Sequence, residues 1–186
     1  MVNPYSNIKM MHGPIRIRAA IVVTNNQIDT LLIKQLSDSD TIVLEVTMDN
    51  VKIVLASMYL DINQHLGDNL LKIDAIIQHA RGEGIILAMD SNSRSTIWHD
   101  KQTTATGRIL EEFLTSNQLH TLNEDSDYST FSSTRGSSDI DLIIVNTQLL
   151  RTVNEWEIWD QDSCSDHNII RYTTGQARGD NSEPRT

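Results

Sequence analysis

Short apolar runs separated by polar residues dominate the chain and predict more strands than helices. Segments 18–24, 40–48 and 51–60 are rich in β-branched residues, which favours strands. The second and third of these meet across residues 49–50, a two-residue connection of the kind that closes an antiparallel hairpin. The run 85–89 is apolar throughout, as expected of a strand that is buried on both faces.

Two segments carry apolar residues at helical spacing. One runs from Leu66 to Ala80 and is followed by Gly82, which favours a helix end, and the other covers about 107–118. Four more strands are predicted at 119–123, 139–145, 155–159 and 168–173. Many strands with two main helices predict an α/β or α+β sandwich as the fold class.

Length and charge limit what the chain can be. Its 186 residues suit one domain, which we expect over 1–174, followed by a polar tail or linker at 175–186. The formal net charge of −10 makes it a poor non-specific polyanion binder, because Lys and Arg supply most of the affinity for phosphate backbones. The single cysteine, Cys164, excludes an intramolecular disulfide and a thiolate zinc cluster.

Polar residues stand at the ends of several predicted strands. Asp90 directly follows the run 85–89, and Asn92 comes two residues later, where a strand fixes the backbone while side chains meet solvent. Asp139 and Asp141 alternate along the predicted strand 139–145, so their carboxylates are expected on one face. Asp141 leads into an apolar run, where an unpaired carboxylate would be costly.

The tripeptide Ser-Asp-His at 165–167 ends a polar loop just before a predicted strand, and it puts His167 beside an acid. Each of these features also has a purely structural interpretation. The residues from Asp90 onward could form an ordinary turn, Asp139 and Asp141 could lie on a solvated edge strand, and the tripeptide could be an exposed loop.

Several segments, in this order and at this spacing, resemble the endonuclease domain of arthropod non-LTR retrotransposons. They are 57–59, 89–98 with its Asp-x-Asn, 107–108, 122–123, 130–131, 138–142 with its Ser-Asp-Ile-Asp, and the Ser-Asp-His at 165–167. That domain belongs to the endonuclease/exonuclease/phosphatase superfamily. The resemblance runs from about residue 18 to 172 and implies a DNase-I-like, four-layer α/β sandwich of two packed mixed sheets flanked by helices.

The resemblance implies a phosphodiesterase that depends on Mg²⁺, with Mn²⁺ as a possible substitute. His167 would act at the scissile phosphate, with Asp141 orienting its ring and favouring the imidazolium form. Asp90 would activate water or protonate the leaving oxygen, a role that typically contributes ~10²–10⁴-fold in rate. Asn92 and Tyr59 would contact the phosphate.

The same resemblance assigns the metal and the DNA. Asp166 would help to hold Mg²⁺, which needs only one or two carboxylates because it keeps several waters. Five residues would lie against DNA: Arg94, Ser95, Arg108, Thr130 and Ser138.

The expected N-terminal part of such a domain has no counterpart in the first residues of this sequence. Family members begin with a strand, a helix and a second strand that ends in a Gln-Glu pair, and this Glu is the main metal ligand. Residues 1–15 do not supply that pattern, so we expect the strand–helix–strand and its carboxylate to be missing. Glu45 is a poor substitute because it is predicted in mid-strand.

Three functions remain open from the sequence. The first is a Mg²⁺-dependent endonuclease that nicks DNA. The second is a catalytically impaired remnant or binding module of the same fold, and the third is a phosphatase of the superfamily. For the first we expect a monomer that works with the reverse transcriptase of the parent element. A nuclear or other intracellular location is expected without membrane contact, since no apolar run approaches the ~20 residues that a membrane helix needs.

Overall fold

The computed structural model of the chain describes residues 16–48, 51–159 and 163–175. The strands are β1 (Asp29–Leu32), β2 (Thr41–Met48), β3 (Val51–Tyr59), β4 (Gly84–Asp90), β5 (Leu119–Thr121), β6 (Phe131–Ser133), β7 (Gly136–Ser138), β8 (Asp141–Asn146), β9 (Val153–Trp159) and β10 (Ile169–Thr174). The α-helices are α1 (Leu66–Ala80) and α2 (Ala105–Ser116), and short 3₁₀ turns cover Lys34–Leu36 and Thr96–Trp98.

Six strands form one mixed sheet in the order β1-β2-β3-β4-β8-β5. Strands β3 and β4 are parallel and α1 crosses over between them, whereas β4 and β8 are antiparallel. The end of β3, the end of β4 and the start of β8 therefore lie side by side: Tyr59 is in register with Asp90, and Asp90 with Asp141. The topology thus brings together three residues that are distant along the chain.

Both faces of this sheet are covered. Helices α1 and α2 pack on one face, where Val54, Leu87 and Ile144 are fully buried. The two-stranded sheet β9-β10 packs on the opposite face through Trp156 and Ile158. Burying a large aliphatic or aromatic side chain contributes roughly 1.5–3 kcal/mol, so these two cores fix the sheet that carries the strand ends.

The predicted hairpin and the long helix are confirmed. Strands β2 and β3 pair antiparallel in continuous register, although the predicted connection at 49–50 lies outside the described residues. Helix α1 has the predicted bounds. Helix α2 begins two residues earlier than predicted, because the Thr104 side chain accepts a hydrogen bond from the N–H of Gly107 and caps the helix there.

One strand prediction was wrong. Segment 18–24 is not a strand in the structure: its alternating apolar side chains at Ala19, Ile21 and Val23 pack on Ile42 and Leu44, and none of the described strands pairs with it. The alternation was real, but it reflects packing on the sheet face rather than pairing.

The strand predicted at 139–145 begins only at Asp141, so Asp139 does not share a strand face with it. The Asp139 carboxylate instead accepts a hydrogen bond from the N–H of Thr130 in the preceding loop, at 2.9 Å. The prediction of one domain over 1–174 with a tail from 175 remains a prediction. In the part of the chain that the structure describes, no helix is both long and apolar enough to cross a membrane.

Candidate active site

Asp90 and Asp141 form a carboxylate pair because their strands are neighbours in the sheet. Asp90 is the last residue of β4 and Asp141 the first of β8, and the two are in register. Their side chains are mostly buried, with 15% and 17% of their surface exposed. Two carboxylates so close in a buried position repel each other when both are ionised, which favours a proton or a cation between them.

The imidazole of His167 completes this cluster. Its Nδ1 lies 3.0 Å from each Asp141 carboxylate oxygen, and its Nε2 lies 3.9 Å from Oδ2 of Asp90. The ring of Phe131 packs edge-on against the imidazole with the centroids 5.0 Å apart. Among the described residues, Asp90, Asp141 and His167 are the one group of His, Cys, Asp or Glu whose ligand atoms all lie within 4.8 Å of one another.

The three ionisable groups alter one another. Burial, followed by the charge of Asp141, raises the pKa of Asp90 to about 6. Burial also raises the pKa of Asp141, and the hydrogen bond with His167 offsets only part of this effect. Burial alone would lower the pKa of His167, but the hydrogen bond and charge of Asp141, with the charge of Asp90, outweigh it and raise that pKa. The site therefore holds protons more tightly than isolated groups would.

Asn92 lies beside this cluster in a fixed orientation. Its backbone is in the left-handed region with φ of 46°, and its N–H donates to Oδ1 of Asp90 at 3.1 Å. Its side-chain amide nitrogen donates to the carbonyl of Leu60 at 2.9 Å. The contact between Asp90 and the N–H of Asn92 thus orients two of the predicted site residues together.

Tyr59 ends β3 on the other side of Asp90, and its ring faces a cation. The Arg18 guanidinium lies 4.5 Å from the centroid of the Tyr59 ring. Arg18 is itself fixed by ion pairs with Asp40 and Asp61. Sequence analysis did not identify Arg18, because nothing in the local pattern indicates that it reaches across to a strand end more than forty residues away.

The predicted metal ligand Asp166 lies at the rim of the site. The residue is exposed, and its carbonyl accepts a hydrogen bond from the N–H of Ser132 at 2.7 Å. Its carboxylate is not part of the Asp90–Asp141–His167 cluster, although its charge contributes to raising the pKa of His167. Its role as a metal ligand remains a prediction.

The residues predicted to contact DNA occupy very different environments. Arg108 is exposed on α2 and Ser138 is half-buried at the end of β7. Ser95 and Thr130 are both fully buried. The Ser95 hydroxyl donates to the carboxylate of Glu111, and the Thr130 hydroxyl accepts from backbone N–H groups of β8 and the residue before it. As DNA contacts, all of these positions remain predictions.

Arg94 takes part in a buried ion pair that sequence analysis missed. Its Nε donates to Oδ2 of Asp100 at 2.9 Å, and the Asp100 side chain is fully buried. The same Asp100 oxygen accepts the N–H of Asp139, and Arg94 Nη2 donates to the carbonyl of Ser137. The pair therefore joins the loop after β4 to the loop before β8. The sequence signals no such pair, because Asp100 stands among polar residues that look like ordinary loop.

A mixed sheet covered by helices on one face and by a second sheet on the other, with two carboxylates and an imidazole at its strand ends, defines a DNase-I-like domain of the endonuclease/exonuclease/phosphatase type. The family model described as endonuclease-reverse transcriptase matches residues 53–171. This is more than half of the sequence, and the chain belongs to this family. The resemblance found in the sequence is thereby confirmed.

Individual relatives agree with this assignment. The chain is 29% identical over 161 residues to the Pol polyprotein of the type-1 retrotransposable element R1 of Bradysia coprophila, which matches 82% of this chain and 16% of the relative. It is also 29% identical over 162 residues to a putative 115 kDa protein of the element R1DM of Drosophila melanogaster, with the same coverage. The chain thus spans about one-sixth of the length of these curated relatives.

Solved structures show the same fold. The endonuclease domain of TRAS1, a telomere-specific non-LTR retrotransposon, superposes with a TM-score of 0.77 at 27% identity, covering 83% of this chain and 70% of that one. The AP endonuclease LMAP of Leishmania major has a TM-score of 0.59 at 12% identity, covering 74% of this chain and 55% of that one. At that lower identity the likeness concerns the fold alone. The predicted fold class is confirmed.

Proposed function

We propose that the chain is a divalent-metal-dependent endonuclease domain that hydrolyses phosphodiester bonds of DNA and so nicks it. The observation that carries this proposal is the Asp90–Asp141–His167 cluster at adjoining strand ends. Membership of the endonuclease-reverse transcriptase family supports it. DNA as substrate, a reverse transcriptase as partner in a longer polyprotein, a monomeric state and a nuclear location all belong to the proposal.

His167 is proposed to stabilise charge on the phosphate. The Asp141 carboxylate holds Nδ1 at 3.0 Å, so the ring is fixed and Nε2 is directed away from Asp141. Because the pKa of His167 is raised, the imidazole keeps its proton closer to neutral pH and donates from Nε2 to a phosphoryl oxygen. Donors aimed at oxygens that gain negative charge in the transition state lower the barrier to phosphodiester hydrolysis.

Asp90 is proposed to carry the proton of the reaction. A carboxylic acid with a pKa of about 6 exchanges its proton readily near neutral pH, whereas an ordinary aspartate is fully ionised there. Asp90 can then take a proton from the attacking water or give one to the leaving oxygen. Asn92, whose N–H holds the Asp90 carboxylate, and Tyr59, in register with Asp90, are proposed to contact the phosphate.

The donor set fits a divalent cation. Asp90 and Asp141 offer carboxylate oxygens, the ligand type that Mg²⁺ prefers, and burial first, then neighbouring carboxylate charges, raises the pKa of both, so a nearby cation would favour their ionised forms. Mg²⁺, or Mn²⁺ in its place, would lie at the edge of this pair, with Asp166 at the rim of the same site as the carboxylate that holds it and has no other proposed role. When bound, such an ion neutralises charge on the phosphate and lowers the pKa of a coordinated water.

Nicking of supercoiled plasmid tests this proposal. We expect the protein to convert supercoiled plasmid to the open circular form in Mg²⁺ and not in EDTA. The variant His167→Ala should not nick. The variant His120→Ala is a matched control, because the His120 imidazole bonds the Thr147 hydroxyl at the opposite end of β8, and it should nick as the wild type does.

Two other outcomes would overturn the proposal in favour of the remaining hypotheses. Release of inorganic phosphate from soluble phosphomonoesters without nicking would identify a phosphatase. The protein could also turn over neither substrate in the presence of metal, although a cooperative thermal transition shows that it is folded. That result would identify a binding module or catalytically impaired relative of the same fold.

A further inference from the structure

We propose that Thr130 is a positioning residue that sets the contact between Asp141 and His167. It lies in residues 129–132, which we call the strap, and it acts without touching the substrate. The inference rests on the proposed function for its kinetic consequences, although its structural consequence can be measured without any activity. It differs from the DNA contact that the resemblance implied for Thr130, since the Thr130 side chain is fully buried.

The Thr130 side chain fixes the start of β8. Its Oγ1 accepts two hydrogen bonds, from the N–H of Ile140 and the N–H of Asp141, both at 3.0 Å. The N–H of Thr130 donates to Oδ1 of Asp139 at 2.9 Å. Three consecutive residues at the entrance of the strand are therefore held by this one residue, and Asp141 is the last of the three.

The strap also fixes the loop that carries His167. The carbonyl of Thr130 accepts the N–H of Asn168, and the N–H of Ser132 donates to the carbonyl of Asp166, both at 2.7 Å. Phe131 lies opposite His167 as an isolated β-bridge, and their rings are in contact. The backbone on both sides of His167 is thus bound to the residues on both sides of Phe131.

Thr130 therefore holds Asp141 and the residue that follows His167 from the same position. Its hydroxyl holds the backbone of Asp141 and its carbonyl holds the backbone next to His167. Removal of the hydroxyl leaves the buried N–H of Ile140 and the half-buried N–H of Asp141 without their acceptor, and buried backbone donors are almost always paired in folded proteins. The entrance of β8 must then shift to find other partners, and the Asp141 carboxylate shifts with it.

Three substitutions of Thr130 distinguish the loss of the hydroxyl acceptor from a change in side-chain volume. Thr130→Val keeps the volume of the side chain but removes the acceptor, Thr130→Ser keeps the acceptor, and Thr130→Cys offers only a weak one. Thr152→Val is a matched control, because the Thr152 hydroxyl bonds the carbonyl of Leu149 in a turn before β9.

The first readout is the Nδ1 proton of His167 in the NMR spectrum. In the wild type we expect a downfield imidazole N–H resonance from the bond with Asp141, assigned by its loss in His167→Ala and its persistence in His79→Ala. It should weaken or disappear in Thr130→Val, be intermediate in Thr130→Cys, and remain in Thr130→Ser and Thr152→Val. A resonance that is unchanged in Thr130→Val and Thr130→Cys would overturn the inference, whether or not the protein cuts DNA.

The second readout is whether each Thr130 substitution changes kcat or KM, measured at a temperature well below unfolding. Misplacing catalytic groups by about an ångström can cost on the order of 100-fold in rate. We expect Thr130→Val to lower kcat by about that factor with KM little changed, and Thr130→Ser to restore kcat. A raised KM with unchanged kcat would mean that Thr130 contacts the substrate, and would contradict the inference. Because the NMR result stands without turnover, failure of the proposed function is distinguishable from failure of this one.

Discussion

Two histidine–carboxylate pairs of the described residues lie beside the six-stranded sheet. They differ in the charge of the group that lies next to each pair. At the strand ends, His167 lies 3.0 Å from Asp141 with Asp90 nearby. In an open groove beside α1, His79 of that helix lies 2.9 Å from Glu45 of β2. The geometry of the two pairs is similar, so the contact alone does not mark a catalytic site.

The charged side chain next to each histidine–carboxylate pair accounts for the difference between the two sites. Glu45 also pairs with Lys52 at 2.8 Å, and the hydrogen bond from Lys52 is the main cause that lowers the pKa of Glu45. At the strand ends the third group is a second carboxylate, and the pKa of Asp90 rises to about 6, through burial first and then the charge of Asp141. In the groove the charge of Glu45 is offset by that of Lys52, whereas the two carboxylates at the strand ends favour a proton or a cation beside them.

The largest expected difference concerns the two histidines. His167→Ala should reduce the nicking rate by about 10⁴-fold or more, because it removes both the proposed donor to the phosphate and the partner of Asp141. His79→Ala should nick within about twofold of wild type, since the proposed function gives the groove no role in the chemistry. Initial rates of plasmid relaxation in Mg²⁺ measure both variants. An equal loss of nicking rate in His167→Ala and His79→Ala would show that the two sites do not differ in this way.

The second largest effect concerns the charge of Asp141. Asp141→Asn keeps the shape of the side chain but removes the charge that favours the imidazolium form of His167. We expect kcat to fall by about 10²–10³-fold, within the usual range for acid–base groups. Glu45→Gln is the corresponding change at the other pair and should leave kcat unaltered. A full-rate Asp141→Asn variant would show that the pair is structural.

Stability against pH should change in opposite directions at the two sites. Because the folded-state pKa of Asp90 is about 6 against 3.8 in the unfolded chain, the native state binds more protons between pH 4 and 6. Stability from this group therefore falls as pH rises through that window and is lowest above it. One pKa unit corresponds to about 1.4 kcal/mol, so Asp90→Asn should raise the free energy of unfolding at pH 8 by up to about 3 kcal/mol.

Urea unfolding at pH 4 and pH 8 checks this prediction. The gain of Asp90→Asn over wild type should be present at pH 8 and largely absent at pH 4. If Asp90→Asn were less stable than wild type at pH 8, the folded protein would not disfavour the ionised form of Asp90.

The smallest effect is expected at Glu45. Its pKa is lowered, so its ion pairs stabilise the fold above its ordinary pKa and are lost as pH falls. Partly exposed ion pairs are worth about 0.2–1 kcal/mol, and Glu45→Gln should therefore lose no more than that at pH 8. The same urea titrations measure it. If Glu45→Gln were instead more stable than wild type at pH 8, the folded protein would disfavour the ionised form of Glu45, as is expected for Asp90.

The sequence predicted the parts of the fold and site that depend on local patterns. Apolar patterning predicted β2, β3 and α1, and polar residues next to predicted strands pointed to Asp90, Asp141 and His167, which the structure brings together. Strand β1 was missed because it is an edge strand whose side chains are mostly exposed, so no alternation marks it.

Contacts between distant segments were not predictable in the same way. The stacking of Arg18 on Tyr59 and the buried Arg94–Asp100 pair arise only when loops from separate parts of the chain meet. Thr130 was selected for its resemblance to a family motif, but its burial and its two acceptor contacts depend on how the strap lies across β8. Polar residues in loops carry no periodic signal from which such contacts could be inferred.

The most direct measurement is the anomalous scattering of Mn²⁺ in crystals of His167→Ala soaked with the metal and grown with a DNA duplex that the variant does not cut. We expect the Mn²⁺ peak at carboxylate oxygens of the Asp90–Asp141 pair or Asp166, with a DNA phosphate beside the space left by the His167 ring. A Mn²⁺ peak and a phosphate that lie together elsewhere, such as in the groove of Glu45 and Lys52, would contradict the account.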